Sequence, residues 1–246
     1  MITIDDFVML GKTVPEPQSD GRVFVCSAGV SAQMKQLMRI YPLGRYGAPP
    51  RWSVSEVRLE RNSSDSRRES WKRHNPNRGA EDDTNDEIVL KQREYPRAAR
   101  ASLLRPYEVA SIKEANARKL SLAVIHPNQY DLGFDYNPDS PDSPQLALFD
   151  SGKPEPQGAK RFAYIPRLSF RDEDGEHRLM LRDWGCFEWM RKEGDQRRHD
   201  IVGNLHLTSA SSLLVGNFNR HRTSWLVISV LNGLREEQAL FDVEAA

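Results

Sequence analysis

The residues best suited to chemistry are arginines that alternate with aromatic side chains in the first third of the chain. A guanidinium group binds phosphate oxygens through two parallel hydrogen bonds. An exposed aromatic ring stacks on a base at roughly 1 to 3 kcal/mol per base. Together these residue types predict an Arg-rich rim that contacts single-stranded nucleic acid, with Trp71 as the stacking residue. The other binding residues predicted in this rim are Arg39, Arg45, Arg61, Arg67, Arg68, Lys72 and Arg73.

A second basic cluster lies between two strand-like runs near the end of the sequence. SSLLVGNF (211–218) and SWLVISVL (224–231) flank the sequence NRHR, which predicts a hairpin with a basic tip. We expect Arg220, His221 and Arg222 in this tip to contact a nucleic-acid backbone.

Both basic clusters also have a simpler interpretation. Alternate arginines can form the solvated face of strands, with Tyr41 and Trp52 in the core, and the basic tip can be a turn that only increases solubility. Net charge does not decide between nucleic-acid binding and this simpler interpretation, because 35 Lys and Arg residues balance 35 Asp and Glu residues. The charges are nevertheless segregated: residues 62–78 hold five bases and two acids, whereas residues 81–87 hold five acids and no base.

Few residues could support catalysis. Asp183 and Glu188 could supply ligands for a metal-dependent nuclease, but Asp183 also fits the N-cap of a helix. Cys26 has no neighbouring histidine in the sequence, and a buried strand thiol is the simpler interpretation. No P-loop, dinucleotide fingerprint, HExxH pair, GxSxG elbow or paired CxxC motif is present. The sequence therefore favours a non-catalytic protein without a cofactor or a metal.

Strand and helix patterns place these residues in two structured blocks. Short β-branched runs joined by Gly and Pro turns predict a small β-barrel-like block over residues 1–78. A polar, charged connector is expected at 79–102. Residues 103–246 predict an antiparallel sheet with one or two helices, one of them from Asp183 to Glu193, and an acidic, Pro-rich loop at 137–160. The predicted fold class is α+β.

The cysteine content and the N-terminal sequence bear on the compartment. Two cysteines, Cys26 and Cys186, are too few for a disulfide framework or a four-cysteine zinc site. The first ten residues hold two acids and no basic segment, and no apolar run reaches the roughly 18 to 20 residues that cross a bilayer. We expect a cytoplasmic protein with reduced thiols and no membrane partner.

Motifs spread over most of the chain resemble a family of bacterial and archaeal hypothetical proteins. The shared features are a Tyr-Pro strand at RIYPL (39–43), an Asp-x-Arg-x-Glu-Ser-aromatic stretch at DSRRESW (65–71), an Asp-Trp helix at LRDWGCFEWMRK (181–192) and a closing hairpin at VGNFNRHRTSWLVISV (215–230). The resemblance implies one ancient unit and no established activity. Members carry cysteines near the turn that here reads RDEDGEH, where this chain has none, so no metal site is expected at this turn.

The leading hypothesis is a non-catalytic nucleic-acid-binding subunit that takes DNA or RNA, with single strands favoured, on the Arg-rich rim. The alternative is a protein-interaction subunit of a multi-component assembly. Zero net charge, segregated charge blocks and long polar loops suit docking onto protein partners. A metal-dependent nuclease is the third hypothesis.

Overall fold

The computed structural model describes residues 1–17, 23–44, 47–74, 87–137, 140, 159, 162–201, 205, 207–208, 210–232 and 234. Within these residues the chain forms three β-sheets, three α-helices and two short 3-10 helices, Arg105–Tyr107 and Asp195–Asp200. The strands of the first sheet are β1 (Ile2–Lys12), β2 (Glu16–Pro17), β3 (Val23–Ser31), β4 (Gln36–Gly44), β5 (Val54–Arg61), β6 (Ser70–Arg73) and β7 (Ile88–Gln92).

Five strands of the first sheet close into a barrel. The pairs β1–β3, β3–β4, β5–β6 and β5–β1 are antiparallel, whereas β4 and β6 run parallel. The closed order is β1–β3–β4–β6–β5–β1. This order, with the third and fifth barrel strands parallel, is that of the OB-fold, a five-stranded Greek-key barrel. The prediction of an N-terminal β-barrel-like block is confirmed.

The barrel interior is filled by apolar side chains that point inward from each strand. Phe7 is fully buried and crosses the interior to β3. At Gly29 a Cβ atom would lie 2.3 Å from Phe7 Cζ and 2.4 Å from the carbonyl oxygen of Val8, so packing requires a glycine there. Other residues of this interior are Ile4, Met9, Val25, Met38, Ile40, Leu43, Val57, Leu59 and Trp71.

The second block contains two smaller antiparallel sheets and most of the helical residues. The combination of these sheets and helices with the barrel confirms the predicted α+β fold class. One small sheet holds β10 (Gln129–Tyr136), β11 (Tyr164–Arg171) and β12 (Glu176–Met180). The other, which also contains one parallel pair, holds β8 (Glu108–Val109), β9 (Leu122–Ile125), β13 (Ser212–Asn217) and β14 (Trp225–Leu231). The helices are α1 (Arg97–Leu104), α2 (Ile112–Ala117) and α3 (Trp184–Glu193).

The predicted hairpin with the basic tip and the predicted α3 helix are present. β11 pairs with β12 around Gly175, and β13 pairs with β14. α3 begins after Asp183, whose carboxylate accepts hydrogen bonds from the backbone N–H groups of Gly185 and Cys186, as expected of an N-cap. No helix in the described part of the chain is long and apolar enough to cross a membrane.

The two blocks share a hydrophobic core. Leu10 and Val30 of the barrel lie in one buried cluster with Val124, Leu214 and Ile228 of the second block. A further cluster lies within the second block, between its two sheets and α3. The barrel and the second block are therefore packed as one body.

The connector predicted at 79–102 is structured where it is described. Residues 88–92 form β7, which pairs with residues 54–57 of β5, and α1 begins at Arg97. The side chains of β7 are largely exposed, so they leave no hydrophobic pattern in the sequence. β7 is held in place by its main-chain hydrogen bonds to β5. The acidic loop predicted at 137–160 lies almost entirely outside the described residues.

Candidate nucleic-acid interface

The loop that joins β5 to β6, residues 62–69, carries the middle of the predicted Arg-rich rim. Asp65 organises it, because its carboxylate accepts hydrogen bonds from Arg67 Nε at 2.9 Å and from Ser70 Oγ at 2.7 Å. Burial raises the pKa of Asp65, but the hydrogen bonds from Arg67 and Ser70 outweigh burial and bring this pKa down to about 2. Arg67 is therefore neutralised within the loop.

Two buried arginines of the barrel reach across to the second block. Arg67 Nη1 donates to the carbonyl oxygen of Asn217 at 2.6 Å, and Arg39 Nη1 donates to the same oxygen at 3.3 Å. Arg39 Nη2 donates to the carbonyl oxygen of Ser121 at 3.0 Å. Arg39 and Arg67 are only 6% and 9% exposed, so they join the blocks and do not belong to the exposed rim.

The hairpin tip, residues 218–224 between β13 and β14, lies on the β5–β6 loop. Arg222 Nη2 donates to Ser66 Oγ at 2.6 Å. Asn219 Nδ2 donates to the carbonyl oxygen of Ser64 at 3.3 Å. Two basic clusters that are far apart in the sequence are thus brought onto one side of the molecule.

Four predicted binding residues have side chains at this junction. Arg68, Arg220 and His221 are exposed, and Arg222 is half-buried by its contact with the loop. Within the described residues, the side chains of Arg68 and Arg220 form no ion pair. Their guanidinium groups are therefore available to an outside anion.

Trp71, the predicted stacking residue, lies in the barrel interior. It is 6% exposed, and the guanidinium carbon of Arg61 lies 4.8 Å from the centre of its ring. Arg61 also donates to the carbonyl oxygens of Arg67 and Arg68, so its charge is used to hold the loop. A ring packed in the barrel beneath a guanidinium group is not available to a base. Strand alternation on β6 accounts for this, since it turns Trp71 inward.

The remaining predicted residues contribute little to an exposed binding surface. Lys72 Nζ pairs with Glu60 Oε1 at 2.9 Å on the neighbouring strand. Arg73 is 3% exposed. Arg45 lies outside the described residues. Most of the arginine-rich stretch is therefore engaged within the protein. Arg39, Arg67 and Arg73 are buried, which differs from the solvated strand face of the simpler interpretation.

Phe218 is a functional candidate that the sequence reasoning missed. It follows β13 directly and is 44% exposed at the start of the hairpin tip. An exposed phenylalanine beside basic residues is suited to stacking on a base. The sequence places this aromatic residue at a strand end, directly before NRHR, which could have indicated a stacking residue. It was not chosen because an apolar residue at a strand end is usually buried.

A groove of about 540 Å³ adjoins the β5–β6 loop at Arg68. Lys35 and Lys119 lie with Arg68 at its rim, and both lysines are exposed. Their φ angles of 49° and 55° fall in the left-handed region, which costs a residue with a Cβ roughly 1 to 2 kcal/mol. The apolar part of its lining is Leu37, Leu103, Pro106, Leu120 and Leu122.

The acidic side chains near this groove are occupied by donors of the protein itself. Glu69 accepts hydrogen bonds from the backbone N–H of Ser121 at 3.2 Å and from its Oγ at 2.9 Å. Glu114 pairs with Arg118 at 3.0 Å, and Asp65 is paired within the loop. The exposed charge is consequently positive. We call this region the basic surface; its residues are Lys35, Arg68, Lys119, Phe218, Arg220, His221 and Arg222.

Residues 4–104 match the family model described as a domain of unknown function (DUF8758). The matched range contains the barrel except for the first two residues of β1, and it includes the β5–β6 loop and α1. The chain matches no curated protein. The match agrees with the resemblance seen in the sequence, which is to an uncharacterised family without an established activity.

Asp183, the residue considered as a nuclease ligand, is a structural carboxylate. It is 1% exposed, caps α3, and accepts hydrogen bonds from Arg51 Nη2 at 2.7 Å and from Ser229 Oγ at 2.8 Å. Its oxygens are therefore occupied by protein donors. Among the residues that the structure describes, no three His, Cys, Asp or Glu side chains are grouped as metal ligands.

Proposed function

We propose that this protein is a non-catalytic subunit that binds single-stranded nucleic acid on the basic surface. The observation that carries the proposal is the hydrogen bond of Arg222 to Ser66, which joins the two basic clusters of the sequence into one surface. Both cysteines are free, which suits the reducing cytoplasm as the compartment for this binding.

The barrel topology supports this proposal. OB-fold barrels bind oligonucleotides with their second and third strands and with the loops after the first and fourth strands. Here Ala28, Val30 and Leu37 of the second and third barrel strands lie in the core shared with the second block, so the support comes from the loops alone. In this chain the loop after the fourth barrel strand is the β5–β6 loop, which carries Arg68 and supports the hairpin tip. A fold alone does not determine a function, so the side chains of this loop and tip carry the proposal.

The side chains of the basic surface fit a flexible strand better than a duplex. Arg68 and Arg220 can neutralise phosphates, and Phe218 can stack on one base. A base is accessible for stacking only where it is unpaired. The groove beside Arg68 adds two lysines, Lys35 and Lys119, and an apolar lining. These cations suit a nucleic-acid backbone that passes over the barrel.

Equilibrium binding to labelled single-stranded DNA, single-stranded RNA and duplex DNA at low salt tests the proposal. We expect the single strands to bind more tightly. The double variant Arg68→Gln with Arg220→Gln should weaken that binding by about tenfold or more.

The matched control removes two exposed cations elsewhere, in the double variant Arg171→Gln with Lys192→Gln. Arg171 ends β11 and Lys192 lies near the end of α3. This variant has the same net charge as the test variant and should bind within about twofold of the unmodified chain. Equal weakening by both variants would show that only net charge matters and would contradict the proposed surface.

One observation favours the alternative of a protein-interaction subunit. Among the described strands β7 pairs only with β5, so its other edge is open, and its Val89 and Leu90 side chains are 42% and 44% exposed. An open edge with exposed apolar side chains can accept a strand from a partner. A partner that co-purifies with the unmodified chain and is lost from the Leu90→Lys variant would support this function. A partner that is retained by the variant would contradict it.

A further inference from the structure

The strand β7 ends the order of the first sheet, and among the described strands it pairs only with β5. Val89 and Leu90 are neighbours on this strand, and they are 42% and 44% exposed. Because successive side chains of a strand point to opposite faces, β7 exposes an apolar side chain on each of its faces. A further strand that continued the sheet would cover both side chains.

The main-chain groups of β7 that face outward follow from its pairing with β5. The backbone N–H of Arg58 in β5 donates to the carbonyl oxygen of Glu87 at 2.9 Å. The hydrogen-bonding groups of successive residues point to alternate edges of a strand. Those of Glu87 and Val89 therefore face β5, whereas those of Ile88 and Leu90 face the open edge.

These outward groups restrict how a second copy of the chain can pair with β7. Two identical antiparallel strands are related by a two-fold axis, and each hydrogen-bonded pair must join residues whose groups face outward in both copies. An axis at Val89 meets this condition. It places Ile88 opposite Leu90 of the second copy, where the two residues exchange both of their N–H···O bonds, and it places Val89 opposite its own counterpart.

The side chains of an identical strand are complementary in this register. On one face Val89 meets Val89 of the second copy, and on each side of this contact Glu87 lies opposite Lys91. On the other face Ile88 lies opposite Leu90. Apolar pairs and pairs of opposite charge are the cross-strand combinations that stabilise a sheet. Each side chain from Glu87 to Lys91 therefore meets a suitable partner.

The neighbouring registers lack this complementarity. An axis at Leu90 would also join outward-facing residues, but it would place Val89 opposite Lys91 of the second copy. An axis at Ile88 would place Val89 opposite Glu87. Both arrangements set an apolar side chain against a charged one, so the sequence of β7 favours the axis at Val89.

We propose that two copies of this chain form a dimer in which their β7 strands pair antiparallel about a two-fold axis at Val89. No residue of the basic surface lies in β7, so the inference does not rest on nucleic-acid binding. It names an occupant for the open edge, on which the protein-interaction alternative also depends. The contact between two short strands is small, so the dimer should dissociate in the micromolar range.

Sedimentation equilibrium of the purified full chain from about 1 to 200 µM tests the dimer. The mass should rise with concentration from that of the monomer towards twice that value. Leu90→Pro removes an outward-facing N–H and none of the bonds to β5, a position where an edge strand accepts proline. This variant should stay monomeric throughout. An unmodified chain that is still monomeric at the highest concentration would overturn the inference.

Two cysteine variants test the register and do not depend on the folding of Leu90→Pro. With the axis at Val89, the Cα atoms of the two copies of residue 89 are about 4.5 Å apart, which a disulfide can span. The two copies of residue 90 are roughly 8 to 9 Å apart, which is too far. Diamide oxidation of Val89→Cys should therefore yield at least tenfold more disulfide-linked dimer than oxidation of the equally exposed Leu90→Cys.

The unmodified chain supplies the background for cross-linking, since it contains Cys26, which is half-buried, and Cys186, which is buried. Equal yields from Val89→Cys and Leu90→Cys would overturn the assigned register. A dimer that persists in folded Leu90→Pro would show that the copies meet on another surface, and it would also overturn the inference. A different protein on β7 of a chain that is monomeric when pure would overturn the inference and leave the protein-interaction alternative standing.

Discussion

Arg67 Nη1 donates a 2.6 Å hydrogen bond to the carbonyl oxygen of Asn217, across 150 positions of the sequence. The bond is buried, and it connects the β5–β6 loop of the barrel with the strand end that begins the hairpin tip. A buried hydrogen bond to a charged donor holds its partners more firmly than a neutral one. This bond therefore fixes the β5–β6 loop and the hairpin tip, which carry the exposed cations, relative to each other.

The pairing of Asp65 with Arg67 should make stability depend on pH. The pKa of Asp65 is about 2 in the folded chain and near its ordinary 3.8 in the unfolded chain, so the unfolded chain binds more protons between these values. Its contribution, about 2 kcal/mol, is complete above about pH 5 and is lost as the pH falls through 2. Urea unfolding of Asp65→Asn and of the unmodified chain from pH 2 to 7 should show their stability difference shrinking in acid.

Ser66→Ala provides the control in the same loop. It removes the acceptor of Arg222 without removing a carboxylate, so its smaller stability difference should not change with pH. A stability difference for Asp65→Asn that stays constant from pH 7 to pH 2 would contradict the assigned ion pair.

Close packing in the barrel predicts a contrast between two glycines in strands. Gly29→Ala places a Cβ atom against Phe7 and against the main chain of β1, so it should lower the free energy of unfolding by about 3 kcal/mol or prevent folding. At Gly133 in β10 no atom lies within 4 Å of the added Cβ, and Gly133→Ala should change stability by less than about 1 kcal/mol. Thermal or urea unfolding measures both, and similar losses would contradict the packing described for Phe7.

A structural role for Asp183 predicts a loss of stability on its removal. Asp183→Ala removes the cap of α3 and leaves Arg51 and Ser229 without their acceptor, so about 3 kcal/mol should be lost. Glu188→Ala, in the same helix, removes a partly exposed pair with Arg191 and should cost less than about 1 kcal/mol. An Asp183→Ala variant as stable as the unmodified chain would contradict the structural role.

Patterns within single elements were predictable from the sequence. The β-barrel-like block, the β13–β14 hairpin and the N-cap of α3 followed from alternation, turn residues and capping chemistry. β7 was missed because its backbone pairing with β5 leaves no periodic signal in its exposed side chains.

The candidate site was only partly predictable, because residue type does not reveal which way a side chain points. Arg39 and Arg67 are of the residue type that binds phosphate, yet both are buried and hydrogen-bonded to the second block. Trp71 is turned into the barrel, while Phe218 takes an exposed place beside the basic tip. The meeting of loop and tip is a long-range contact, which a sequence pattern cannot show.

An exposed aromatic ring on the basic surface predicts a stacking contribution. Phe218→Ala should weaken binding of single-stranded oligonucleotides by about 5- to 100-fold, which corresponds to roughly 1 to 3 kcal/mol, and should leave the salt dependence of binding unchanged. Tyr136→Ala removes a ring that is 59% exposed on β10 and is the matched control, with no expected effect. Fluorescence anisotropy across a salt series gives both quantities. Equal effects of the two substitutions would count against a specific role for Phe218.

Ultraviolet cross-linking of a single strand to the unmodified chain, with the linked peptides identified by mass spectrometry, tests the central claim most directly. A strand on the basic surface should cross-link to peptides of the β5–β6 loop and of the hairpin tip, including Phe218. Cross-links confined to other parts of the chain, or a strand that forms none while bound, would contradict nucleic-acid binding at this surface.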